Sequence, residues 1–195
     1  MKRVLLVVCG VIGIILVLLA AESASPPVMP RYTADNQLLR PEGYRDWVFL
    51  SSGLGMSYSP EAGGHEMFTN VFVPQWAYTE FQKSGKWPDK SIFVVEERDS
   101  QSKGSINKVG HFQTDLMGMG VEVKDKSHFP NEWAYFGFGE NTASAKAAPE
   151  TGCFACHAAH AAVEHSFVQF YPTLKPVAKK FGTYHAEREN VDAAK

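Results

Sequence analysis

The run Cys153-Phe154-Ala155-Cys156-His157 constrains this chain more than any other feature of it. C-x-x-C-H is the attachment signature of covalently bound c-type haem. In a helix, positions i, i+3 and i+4 share one face, so both sulfurs and the imidazole point at one flat object. The thiols of Cys153 and Cys156 can then add to the two vinyl groups of a porphyrin while His157 reaches the iron. A redox C-x-x-C or half a zinc site is the alternative. Zinc needs two more ligands at motif spacing, and no second C-x-x-C or H-x-x-x-H follows. The sequence therefore predicts one covalent haem c, with His157 as axial ligand of the iron.

The compartment agrees with that chemistry. Met1-Lys2-Arg3 and the apolar run from Val4 to Ala21 form a basic start and a hydrophobic stretch, and Ala21-Glu22-Ser23 has the small-x-small form of a cleavage site. Residues 1–23 are thus expected to be an export signal, or an N-terminal membrane anchor given the length of the run. Cleavage after Ser23 would remove Cys9 and leave only the two motif cysteines, so no structural disulfide is available. C-type haem is attached outside the bacterial cytoplasmic membrane, which makes the periplasm the expected location. Residues 24–195 suffice for a single haem domain. With 19 Lys and Arg against 21 Asp and Glu, scattered and not striped, nothing points to nucleic acid.

Along the domain, residues 24–40 read as an irregular leader. Strands are expected over Trp47–Tyr58, Met67–Val73, Ser91–Glu97, Val109–Val123 and Glu132–Phe138, all rich in β-branched or aromatic residues. Pro60 to Gly64 reads as a loop. Pro74 suits the first turn of a helix that runs to about Lys83 and ends at Gly85. A pliable stretch over 141–150 leads to the motif helix, expected from Thr151 to Phe167. Pro172 and Pro176 bracket the entry to a last short helix ending near Phe181, before a polar tail. The fold class is α+β: an antiparallel β-sheet core with flanking helices and the haem-bearing helix near the C-terminus.

The position of the motif separates classes of haem protein. Small helical electron carriers place C-x-x-C-H near the N-terminus with a methionine ligand downstream, and no methionine follows His157 here. A sixth ligand would have to come from His160, His165, His185 or an upstream residue. His160 lies one turn beyond His157 on the same face and cannot reach the opposite side of one porphyrin. His65, His111 and His128 read as surface or loop histidines, and Met117 and Met119 as core. The expectation is a five-coordinate iron with an open distal side, suited to a small molecule and not to simple electron relay. Its wall is assigned to the aromatic strands through Phe68, Phe72, Phe93, Val95, Phe136 and Phe138, against the alternative that these are ordinary sheet core.

Taken in order, Tyr44–Val48 (YRDWV), VFVPQWAYTEFQKSGKWPD (71–89), VEVKD (121–125), NEWAYFGF (131–138), CFACH (153–157) and FYPTLK (170–175) resemble the cytochrome P-460 family, which includes the related cytochromes c′-beta. The resemblance implies a homodimeric, sheet-rich monohaem protein that handles small nitrogen compounds. Members of the P-460 type oxidise hydroxylamine, and the c′-beta type binds nitric oxide and carbon monoxide. In the former, a lysine on the strand after the SGKWPD-like segment cross-links to the porphyrin edge. Ungapped matching puts Val95 at that position, followed by Glu96, with Lys90 five residues earlier. A distal glutamate of that type falls on Gly120. Glu122, on the same side of the strand, is a substitute acid–base candidate alongside Glu96, though a solvated strand-end carboxylate is its simpler reading. The sequence thus favours nitric oxide binding over hydroxylamine oxidation, with an electron-transfer cytochrome serving a redox partner as the third reading.

Overall fold

The computed structural model describes residues 26–56 and 64–189; the expected leader over 1–23, most of the loop over 60–64 and the end of the polar tail lie outside them. Five strands form one antiparallel meander: β2 (Val48–Leu54), β3 (Phe68–Val73), β4 (Ile92–Gln101), β5 (Phe112–Lys124) and β6 (Trp133–Phe138) lie side by side in chain order. The short β1 (Leu38–Leu39) pairs with β7 (Ser144–Ala145), tying the irregular leader to the segment before the motif. No helix among the described residues is long and apolar enough to cross a membrane. The α+β expectation holds.

Both faces of the sheet are covered, and the two-residue period of a strand sorts side chains between them. Leu50, Val73, Phe93, Trp133 and Tyr135 join one core with α1 (Gln75–Ser84) and α3 (Lys175–Phe181). Ile92, Val94, Val121, Val123, Phe136 and Phe138 join a second core on the opposite face, capped by Leu38, Tyr44 and Ala145. Pro74 caps α1, and Gly85 ends it at φ 68°, where only glycine avoids strain. A side chain at Gly85 would also run into Phe181 and Thr183 at 2.8 Å. Trp87 follows, buried between Phe81 (ring centroids 4.3 Å) and Phe93 (4.6 Å).

The motif helix departs from the sequence expectation. α2 spans Cys153–His160, half the predicted length, because Ala161 turns extended at φ −72° and ψ 133°. The helix end needs no continuation, since side chains take the place of the missing turn: Arg188 Nη1 donates to the Ala161 carbonyl (2.7 Å) and Gln169 Nε2 to the His160 carbonyl (2.8 Å). Residues 161–167 then fold back as a tight loop. Glu164 sits at φ 51°, Val163 bridges Ser166, and Trp87 Nε1 donates to Ser166 Oγ at 2.6 Å. Lys124, 3 % exposed, reaches both Glu164 oxygens (2.8 and 2.9 Å) and the Trp87 carbonyl.

Glu96 belongs to the second face, not to a reactive site. Its carboxylate accepts from Tyr44 Oη (2.7 Å), Arg45 Nε (2.8 Å) and Arg98 Nε (2.9 Å) in a place only 2 % exposed. Burial alone would raise its pKa, but these donors hold it down at about 2. Because the folded value lies below the ordinary 4.5, the stabilisation is complete above that pH and is lost as pH falls through 2. Glu96→Gln is expected to cost about 3 kcal/mol in urea denaturation at pH 7, and the gap to the native chain should narrow steadily between pH 5 and pH 3. A gap that stays constant over that range would show that the carboxylate's charge is not what holds this cluster.

Candidate functional site

On the helical face, beyond the first core, α2 stands off from the sheet and leaves a cavity of about 470 Å³. That is within the usual range for a cofactor pocket. Val71, Val95, Gly120 and Tyr135 form its sheet wall, while Cys153, Cys156 and His157 enter from α2. Phe167, Phe170 and Tyr171, which follow the fold-back loop, close one side. One helical turn therefore delivers both thiols and the imidazole to the same space, as the i, i+3, i+4 spacing requires. Neither cysteine is in a disulfide.

His157 is held from behind. Its ring lies between Tyr135 (centroids 4.3 Å) and Phe167 (4.5 Å), and Nδ1 sits 2.8 Å from the carbonyl oxygen of His165. A carbonyl only accepts, so Nδ1 carries the hydrogen and Nε2 keeps its lone pair. Burial lowers the imidazole pKa, against the smaller opposing effect of the hydrogen bond, and favours the neutral form. A neutral imidazole with a fixed tautomer and a free Nε2 is the form that ligates iron. Two free thiols, this nitrogen and an apolar lining fit a haem.

Glu122 is the unexpected member. Expected at a solvated strand end, it is 8 % exposed and lines the cavity, with Oε1 3.8 Å from His157 Nε2. Its Oε2 has no hydrogen-bond partner among the described residues. Desolvation pushes its pKa up to about 8, so the carboxyl is mostly protonated at neutral pH. Of the two acid–base candidates, the structure brings Glu122 to the cavity and leaves Glu96 on the far face.

The aromatic wall is largely corrected. Val95 borders the cavity, and Phe136 touches its lining although its side chain packs in the second core on the other face. Phe93 is on the right face but fully buried beneath Trp87 and Trp133. Phe72 and Phe138 pack with the second core, and Phe68 shares the strand parity of Phe72. In their place the cavity has Thr69, Val71, Gly120 and Tyr135. His160, His65, His111 and His185 are exposed, and His128 stacks on Tyr32 (3.8 Å). Met119 is core whereas Met117 is exposed. Met56, not singled out in the sequence, reaches the cavity rim and is 43 % exposed.

Val95 and Gly120 are direct cross-strand partners. A Cβ on Gly120 would meet the Val95 Cβ at an ordinary 3.7 Å, so the glycine opens space that the backbone does not demand. Lys90, the nearest lysine in sequence, is committed elsewhere, donating to Asp125 and to Ser127 Oγ.

The family model described as Cytochrome P460 matches residues 41–168, a span that holds the whole five-stranded sheet and the C-x-x-C-H helix. No curated protein matches the chain.

The raised carboxyl has a thermodynamic consequence in the haem-free chain. Folded Glu122 keeps its proton to about pH 8 while the unfolded carboxyl loses it near 4.5, so folding stability should fall as pH rises between those values. Glu122→Gln is expected to remove that slope in denaturant titrations from pH 5 to 8. A slope that survives the substitution would place the titrating group elsewhere.

Proposed function

Since the chain belongs to the cytochrome P460 family and is accordingly a haem cytochrome, we propose that it is an exported monohaem c-type protein that captures a small neutral ligand, nitric oxide foremost, on the open side of its iron. The observation that carries this reading is the Val95–Gly120 pair: a methyl-bearing side chain and a bare backbone occupy the two positions where the resemblance implies a cross-linking lysine and an acid–base glutamate. When bound, haem supplies an iron that takes up diatomic gases. Cys153 and Cys156 would each add S–H across a vinyl group, carbon taking the sulfur and its neighbour the hydrogen. His157 would supply its Nε2 lone pair. Val71 and Val95 line the cavity with apolar surface, which favours neutral diatomics over water and anions.

An exposed apolar edge supports a homodimer. β2 is a terminal strand of the sheet, and Phe49 on it is 53 % exposed, with Leu54 also exposed. The hydrophobic leader and the motif together support a periplasmic location.

Hydroxylamine oxidation is the second reading, favoured by one observation: Glu122 is a buried carboxyl whose pKa is pushed up to about 8, able to exchange a proton near neutral pH. Steady-state turnover of hydroxylamine with an artificial electron acceptor separates the two. The binding reading expects negligible turnover with tight uptake of nitric oxide by the ferrous protein, and brisk turnover would replace it. An electron carrier would need a second ligand, and Met56 at the cavity rim is the side chain that supports that reading. Its mark is a low-spin spectrum abolished by Met56→Leu.

Three variants test the attachment and the missing lysine. On a haem-stained denaturing gel the native chain should stain, Cys153→Ser combined with Cys156→Ser should not, and His157→Ala should lose most of the signal. Val95→Lys should yield haem with a third covalent link, seen as a changed chromophore and as haem retained when both cysteines are replaced. An unaltered spectrum from Val95→Lys would mean that β4 does not run along the porphyrin rim.

A further inference from the structure

The carbonyl that orients His157 has two donors. His165 O accepts from His157 Nδ1 at 2.8 Å and also from the Tyr135 hydroxyl at 3.1 Å. Tyr135 reaches it from β6, where it is 5 % exposed and lines the cavity beside the His157 ring. A phenol hydroxyl bonded to a carbonyl oxygen donates to it, because the carbonyl only accepts. The loop carbonyl is its acceptor.

The loop bearing that carbonyl is fixed by Lys124 on Glu164, Trp87 on Ser166 and Gln169 Oε1 on the Ala162 amide (2.9 Å). A rigid acceptor shared by two donors divides its electron density between them, and the two hydrogens repel. A ligating imidazole becomes more basic as its outer N–H is more strongly accepted. A competitor for the acceptor does the reverse.

We infer that Tyr135 is a positioning residue which, by drawing on the His165 carbonyl, keeps His157 a weak donor to iron and holds the ferrous state accessible. The inference rests on His157 as the axial ligand and deepens the ligand-binding reading, since ferrous iron is the form that takes up neutral diatomic gases. The Tyr135 ring packs on His157 whether or not its hydroxyl is present, so shape and electronics can be separated.

The test uses mature holoprotein and two variants that keep the ring. Tyr135→Phe removes the competing donor, and His157 should then bond His165 O more strongly. The iron–histidine stretching band of the ferrous protein should rise. At the potential where the native protein is half reduced, the ratio of reduced to oxidised iron should fall about threefold. Site-specific incorporation of difluorotyrosine at 135 makes the hydroxyl a stronger donor without changing its shape, and both readouts should move the opposite way. Opposite shifts establish the role. Readouts that stay put, or move together in both variants, overturn it while leaving the haem assignment intact. If Tyr135→Phe fails to fold, the fluorinated protein decides alone. A native ferrous protein with no iron–histidine band would instead remove His157 from the iron, and the function proposed above with it.

Discussion

The hydrogen bond from His157 Nδ1 to the His165 carbonyl is the interaction on which the site depends. Without it the ring would still be packed between Tyr135 and Phe167, but either nitrogen could carry the hydrogen. With it, one tautomer and one orientation survive, and the remaining lone pair enters the cavity beside two thiols. The bond exists because α2 stops at His160 and the chain doubles back, bringing a residue eight positions later behind the ring. A helix continued to Phe167 would have carried the His165 carbonyl about two turns past the ring, out of reach of Nδ1. Truncating the helix is therefore what fixes its fifth residue in the tautomer and orientation that a haem iron would require.

Holding that loop takes groups from distant parts of the chain. Lys124 leaves the end of β5, Trp87 leaves the turn after α1, and both converge on residues 164–166. A buried ammonium is costly unless paired, and Lys124 is paired on two oxygens and a carbonyl. The first core, Trp87 on Phe81 and Phe93, fixes the indole that makes one of these bonds. Packing and chemistry thus share residues, so the core of this face carries the loop as well as the sheet.

Much of the frame was legible in the sequence, and the reasons differ by element. The meander, α1 with its proline and glycine ends, and the three motif side chains all followed from local chemistry: strand composition, backbone restriction and helical spacing. The cavity wall did not. In Trp133–Phe138 every side chain but Gly137 is buried, because both faces of the sheet are covered, so hydrophobic alternation carries no sign and Phe136 and Phe138 were assigned the face that Tyr135 holds. The same ambiguity misled Phe68 and Phe72. Glu122 was missed as a buried group because a charged residue near a strand end normally meets water, and only the tertiary placement of α2 takes that water away. The early end of α2 has no local mark, since its terminal carbonyls are satisfied by Gln169 and Arg188 from farther along the chain.

The cross-strand pair of Val95 and Gly120 stands in the middle of the longest ladder of the sheet, which runs from Ile92 opposite Val123 to Gln101 opposite Phe112. Backbone bonds on both sides hold the two positions, and neither side chain contributes to them. Their identities can consequently vary without disturbing the architecture. New reactivity on this scaffold is a matter of codons 95 and 120, distant in the gene and adjacent in the sheet, and the frame leaves that evolutionary route open.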